Sequence, residues 1–323
     1  MTGATGLLGA NVVRALLEAG YAVRAAVRPT SNRIPIEGLP VETSVLNLEE
    51  PASVAESMAG CQAVVHAAAA NWIGRSGRGW MERVNVRGTE TVCRAASEAG
   101  IRRMVHVSSV DTLGIRTREH PADEECRPNL EHLRCPYIDT KRAAEEVVLR
   151  YVAAGLPAVI VNPTLLLGPW DTRPTSGRMI LEIARGRALL APRGGNSFLD
   201  VRDAATGIVA ALERGKVGRR YILGGENLTY REAWRRVARI VGRRGPLGTA
   251  PAAGTWLVGQ ATAVWGWLSG EEPVVNPVTV AMGELPHYFD SARARSELDF
   301  PETNFELAVS DAWRWFKEHG YVR

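Results

Sequence analysis

The sequence predicts an α/β protein with a Rossmann-like, doubly wound parallel sheet and a smaller C-terminal lobe. Three observations predict it. Short apolar strands alternate with amphipathic helices from residue 3 to residue 161, the order that a parallel sheet requires. A glycine-rich turn at 3–9 runs directly into a helical pattern and then a strand. The alternation breaks after Pro163, where turn-rich and aromatic segments take over. The expected division is a dinucleotide-binding domain over 1–165, rejoined by 196–224, with a substrate lobe built from 166–195 and 225–323.

The chain has 323 residues, 46% of them hydrophobic and 23% charged, which suits a large core and two lobes. Its 39 basic residues are scattered among 35 acidic ones. That mild excess fits an anionic cofactor or substrate, and without a nucleic-acid module it argues against a nucleic-acid partner. Cys61, Cys93, Cys126 and Cys135 are widely spaced, so reduced thiols, no metal site and a cytoplasmic location are expected.

Gly3, Gly6 and Gly9 form a Gly-x-x-Gly-x-x-Gly turn that feeds a helix over 10–19, with Val12, Val13, Leu16 and Leu17 at helical spacing and Gly20 as its stop. Such a turn offers backbone N–H groups and a helix N-terminus to a pyrophosphate, and side chains at the glycine positions would block the approach. A strand that dinucleotide folds place before this turn is missing, and the expectation is that roughly six to ten further residues precede Met1 in the native protein. The strand at 21–27 ends in Arg28-Pro29, where an NAD site would carry an acid for the ribose hydroxyls. Arg28, with Arg33 behind it, suits a 2′-phosphate instead, so NADP(H) is favoured over NAD(H).

A strand at 41–46 ends in Asn47-Leu48, and a short helix over 53–59 is closed by Gly60. The buried strand 63–66 runs into Ala67, Ala68, Ala69 and Ala70, small residues that let a cofactor lie against the backbone. His66 reads as a satisfied core histidine. A helix over 81–99 carries Asn85, and strand 104–107 delivers Ser108-Ser109 to its carboxyl end, where open α/β sheets hold their chemistry.

After a polar loop with Asp123, Glu124 and Glu125, a helix runs from Tyr137 to about residue 154. Tyr137 and Lys141 stand one turn apart on it. A phenol titrates near pH ~10, so it exchanges protons at neutral pH only beside a cation, and Lys141 is the expected cation. An apolar strand at 156–161 ends in Asn162-Pro163. Beyond it come a turn-rich crossing at 168–174, helices at 177–186, 204–213, 230–241 and 308–318, and strands at 198–201 and 220–223. The stretch 245–270 carries Trp256, Trp265 and Trp267 and no charged residue. Its Gly, Pro, Gln and Thr argue against a spanning helix, so a buried helix of the second lobe and no membrane partner are expected.

These pieces resemble the extended short-chain dehydrogenase/reductases, and within them the dihydroflavonol-reductase-like group that includes hopanoid-associated sugar epimerases. TGATGLLG at 2–9, VVHAAA at 64–69, NVRGT at 85–89, HVSSVDTLG at 106–114, YIDTK at 137–141, VNPTLLLGP at 161–169, FLDVRDAA at 198–205 and YILGGENLTYREA at 221–233 follow the family's order through nearly the whole chain. The resemblance implies Ser109, Tyr137, Lys141 and Asn85 as the catalytic set. It implies cofactor contacts at Gly3, Thr5, Gly6, Leu7, Leu8, Gly9, Arg28, Arg33, Asn47, Leu48, Ala67, Ala68, Ala69 and Pro163, shared with Tyr137 and Lys141. It also implies a small-molecule carbonyl or sugar substrate and a homodimer paired through helices flanking the sheet.

Three functions follow: an NAD(P)-dependent reductase of a ketone or aldehyde; a nucleotide-sugar epimerase or dehydratase that uses bound NAD without net redox change, with Asp111 as an extra base; and a non-catalytic NADP sensor, against which the retained Ser109, Tyr137 and Lys141 speak.

Overall fold

The computed structural model describes residues 1–322. Helix α1 (Leu7–Glu18) leads into strand β1 (Arg24–Val27), followed by β2 (Glu42–Val45), α2 (Pro51–Met58) and β3 (Ala63–His66). Strands β4 (Arg103–Val107) and β5 (Ala158–Pro163) continue the alternation. Between β3 and β4 come α3 (Arg78–Met81) and α4 (Gly88–Glu98), and between β4 and β5 comes α5 (Pro136–Ala153). Strand β1 pairs with β2, and β3, β4, β5 and a later strand, β9 (Arg220–Leu223), form a parallel set. Thr2 lies between the two sets in parallel bridges to Ala26 and His66. Its N–H donates to Val65 O at 3.0 Å, and Met1 O accepts from Ala26 N–H at 2.8 Å.

Period-two alternation sends successive strand residues to opposite faces, and both faces are apolar. Val65, Val105, Val159 and Val161 pack with α1 and α7 (Val201–Arg214) on one side. Val64, Met104, Ala158 and Ile160 pack with α2, α4 and α5 on the other. That two-sided burial is why helices cover both faces and why the strand ends are left for chemistry.

The second lobe is organised on β8 (Gly195–Asp200), which runs parallel to β6 (Leu165–Leu167) and β12 (Pro286–His287) and antiparallel to β10 (Glu226–Thr229). Around it stand α6 (Arg178–Ala184), α8 (Tyr230–Ile240) and α12 (Phe305–Glu318), with Phe198, Phe305, Trp315 and Phe316 at the centre. The two-residue strands β7 (Leu190–Ala191) and β11 (Gly248–Thr249) pair at the lobe's edge. Helices α9 (Ala252–Ser269) and α10 (Pro277–Gly283) form a hairpin, and α11 (Ala292–Leu298) packs back on α7. Residues 201–223 return to the main sheet, whereas 195–200 pair inside the small one. The two faces of β8 serve both cores, Leu199 one and Phe198 the other, so its pattern carries no sign of which sheet it joins.

Two expectations are corrected. The single helix expected over 81–99 is three pieces, because residues Glu82–Arg87 widen into a π-helix between α3 and α4. The Asn85 side chain bonds to Ala70 there, and Gly88 presses so close to Leu48 that a Cβ would stand 3.1 Å from its side chain. Such wide turns commonly mark functional sites. The stretch expected as a buried helix, α9, is exposed: among its residues only Gly259 is buried. An uncharged sequence fits a core helix and an uncovered apolar one equally well, and only the tertiary structure separates them.

Candidate active site

Gly3 adopts φ +73°, and a Cβ on it would lie 2.7 Å from Ala67 C and Ala68 N. A Cβ on Gly9 would lie within van der Waals overlap of Gly3 O, so the helix start and the turn fit together only without side chains. Gly6 caps α1 and has space around it. Ala10 N–H makes the first intrahelical bond, to Gly6 O at 2.9 Å, which leaves the N–H groups of Leu7, Leu8 and Gly9 pointing out of the helix end. This helix end and turn lie against Ala67 and Ala68 and offer unpaired N–H groups of the kind that suit a pyrophosphate. The residues fit a dinucleotide there.

Arg28 and Arg33, just beyond β1, are exposed and have no carboxylate partner among the described residues. The Asn47 amide is held locally, giving a hydrogen bond to Glu50 Oε1 at 2.7 Å and accepting one from Glu49 N–H at 3.1 Å, while Leu48 covers Gly88.

His66 is a satisfied core residue: Nδ1 lies 2.8 Å from Thr2 Oγ1 and Nε2 lies 3.1 Å from Thr89 Oγ1. Burial pushes its pKa down to about 3, with Lys141 adding to the effect. Asn85 spans the site's floor. Its amide gives hydrogen bonds to Ala70 O at 2.9 Å and Thr140 Oγ1 at 3.1 Å, and its oxygen accepts from Ala70 N–H at 2.7 Å. It therefore ties the alanine run to α5 as a positioning residue.

Ser109, Tyr137 and Lys141 come together at the carboxyl end of β4, where the serine hydroxyl hydrogen-bonds the phenol and the ammonium meets Val107 O. Ser109 is buried, and its Oγ donates to Asp111 Oδ2 at 3.0 Å while accepting from Asp111 N–H at 3.3 Å. The buried Lys141 ammonium donates to Val107 O at 2.7 Å, and burial lowers its pKa to about 8 against an opposing pull from Glu145. Burial, then Asp111, hold the Tyr137 phenol above its ordinary value, with Ser109 acting the other way. Lys141 is engaged by the strand and is not among the groups that set the phenol, so the expected lowering by this cation is absent from this geometry.

The supporting network was missed in the sequence. Glu145, buried on α5, accepts from Thr112 Oγ1 at 2.8 Å and Asn162 Nδ2 at 2.7 Å and is paired with Arg220 Nε at 2.7 Å. The Thr112 hydroxyl shares its one proton between Glu145 and Ser109 O, 2.8 Å away, and Asn162 donates to Ser109 O at 2.9 Å. Four segments far apart in sequence thus fix one serine, and no local motif marks them. From the second lobe comes His287, buried, with neither ring nitrogen hydrogen-bonded and Nε2 4.0 Å from Asp111 Oδ1. An apolar wall stands beside Tyr137, with Ile73, Val278, Met282 and Leu285 in one cluster.

A family model described as the NAD dependent epimerase/dehydratase family matches residues 1–224. The chain is 36% identical to a protein of Synechocystis sp. provisionally named dihydroflavonol 4-reductase, over 100% of this chain and 95% of that one. It is 32% identical to sterol demethylase protein B of Methylococcus capsulatus, over 100% and 99%. The crystal structure of gox2253 superposes with a TM-score of 0.88 at 37% identity, covering 100% of this chain and 98% of that one.

Proposed function

The chain belongs to the NAD-dependent epimerase/dehydratase family of extended short-chain dehydrogenase/reductases and is an enzyme of that family, and on that premise we propose that it is an NADP(H)-linked reductase of apolar ketones or aldehydes acting through Ser109, Tyr137 and Lys141. The observation that carries this reading is the convergence of Tyr137 on Ser109, whose hydroxyl hydrogen-bonds the phenol, with Lys141 fastened to the strand that delivers the serine. Tyr137 would give its proton to a carbonyl oxygen as it becomes an alkoxide. Ser109 steadies the same oxygen by turning its hydroxyl proton from Asp111 to the substrate, while Asp111 N–H keeps hold of Oγ. Lys141, one helical turn from the phenol, would have to turn from Val107 O toward it to offset the charge acquired when the proton leaves. A nicotinamide, when bound, would supply the hydride.

The cradle at Gly3, Gly6 and Gly9 would hold the pyrophosphate, and Arg28 and Arg33 a 2′-phosphate, which favours NADP(H). The wall of Ile73, Val278, Met282 and Leu285 favours an apolar substrate, in keeping with relatives named for dihydroflavonol and sterol chemistry. Pairing of two copies through helices flanking the sheet belongs to the same reading. The deciding experiment is Tyr137→Phe. It should bind NADPH as the parent does and lose about 100-fold or more in reduction of a panel of aldehydes and ketones; full turnover would refute the assignment.

A second reading, an epimerase or dehydratase without net redox change, is favoured by Asp111, a further base against Ser109. Turnover of nucleotide sugars with no consumption of added NADPH would select it.

A further inference from the structure

Helix α9 has one covered side. Gly259 and Thr262 face α10, where a Cβ on Gly259 would stand 3.7 Å from Pro277 and 3.9 Å from Val280, and Gly266 lies against Pro273. The opposite side presents Trp256, Leu257, Val264, Trp265, Trp267 and Leu268 to solvent, with Trp265 65% and Trp267 82% exposed. Leu189 and Leu247, joined by a backbone hydrogen bond of 2.9 Å, add exposed apolar surface near the start of this segment. A patch of this extent on a water-soluble surface marks an interaction site.

The charges around it select the partner. From 245 to 270 there is no charged residue. Before it, Arg235, Arg239 and Arg244 are exposed and have no carboxylate partner among the described residues, and Gly245 packs against the Arg235 side chain. After it, Glu272 is turned inward, accepting from Trp72 Nε1 and the N–H groups of Arg75 and Ser76, which leaves Glu271 as the exposed acid. No helix among the described residues is long and apolar enough to cross a membrane. Tryptophans on an uncharged helix that follows a run of exposed, unpaired arginines are the chemistry of a segment lying in the headgroup boundary of an anionic bilayer, with the rings at headgroup depth and the guanidinium groups on lipid phosphates.

We propose that α9, with Arg235, Arg239 and Arg244, docks the protein onto an anionic phospholipid surface without spanning it. This stands apart from the reductase reading, because it invokes no residue of the Ser109 site.

The test is sedimentation of the full chain with vesicles of phosphatidylcholine, with and without phosphatidylglycerol, while tryptophan emission is recorded. Binding to the anionic vesicles with a blue shift is expected. Trp265→Ser/Trp267→Ser should weaken it about tenfold or more, and Arg235→Glu/Arg244→Glu should abolish the preference for anionic lipid. These residues are exposed, and unchanged melting of both variants verifies the fold. Failure to bind, or equal binding by the tryptophan variant, would overturn the proposal. So would a dimer seen in sedimentation velocity without lipid that the tryptophan variant dissolves, because a second copy would then be the occupant.

Discussion

The Lys141 ammonium donates to Val107 O at 2.7 Å, one residue ahead of the Ser108-Ser109 pair, so the cation of α5 is fastened to the strand that delivers the serine. The bond ties Lys141 to the strand that ends in Ser109, and the protonation state of the lysine decides whether that bond is charge-assisted.

Burial lowers Lys141 from 10.5 to about 8. A base whose folded pKa lies below its unfolded one loses its proton first in the folded state, so this group's contribution to stability rises with pH from about 8 toward 10.5. Over the same window the active site loses its cation. We expect kcat/KM to fall as pH rises through about 8, and Lys141→Arg to move that limb upward. The pH–rate profile of the two proteins checks this, and a flat profile to high pH would contradict it.

Arg28 and Arg33 are the unpaired cations beside the end of β1. Arg28→Ser and Arg33→Ser should each raise the Kd for NADPH about tenfold and leave that for NADH nearly unchanged. Fluorescence titration with both nucleotides decides, and equal losses for the two would assign the arginines no part in selecting the phosphate.

Glu145 is the acceptor at the centre of the Thr112, Asn162 and Arg220 network. Glu145→Ala leaves those donors without their partner and should cost about 3 kcal/mol of unfolding free energy. It should also lower kcat more than it raises KM, because Ser109 loses its fixed backbone. Urea denaturation and steady-state kinetics measure the two effects.

Asp171 is buried, accepts from the N–H groups of Thr175 and Gly177 at 3.2 and 3.1 Å, and is raised by burial to about 6. Its folded pKa exceeds the unfolded one, so the stability linked to its protonated form is full below pH ~4 and is lost as pH rises through about 6. Asp171→Asn keeps an acceptor without the charge. Compared with the parent, it should gain stability on going from pH ~5 to pH ~8, on the order of 2 kcal/mol, as read from melting curves.

The chemistry-bearing half was legible because its signals are local. The glycines at 3 and 9 have to meet backbone, and Tyr137 and Lys141 sit on one helical turn. The π-helix at Glu82–Arg87 was not legible, because Asn85 is drawn to Ala70 by contacts that the periodicity does not encode. Nor was Glu145, whose partners Thr112, Asn162 and Arg220 lie far from it in sequence and share no spacing. The exposure of α9 escaped for a third reason. Its composition reads the same inside a core or outside it, and the stripe of Gly259, Thr262 and Gly266 tells only which side touches α10.

Glu272 takes hydrogen bonds from the Trp72 ring and from two backbone N–H groups of the adjoining loop, and Asn276 reaches back to Ile73 O at 2.7 Å. Those bonds moor the α9–α10 hairpin to the loop that follows the alanine run. The hairpin also carries Val278, Met282 and Leu285 of the wall beside Tyr137. The segment 272–276 thus joins, through one short stretch fixed by hydrogen bonds, the exposed face of α9 to the apolar wall beside Tyr137.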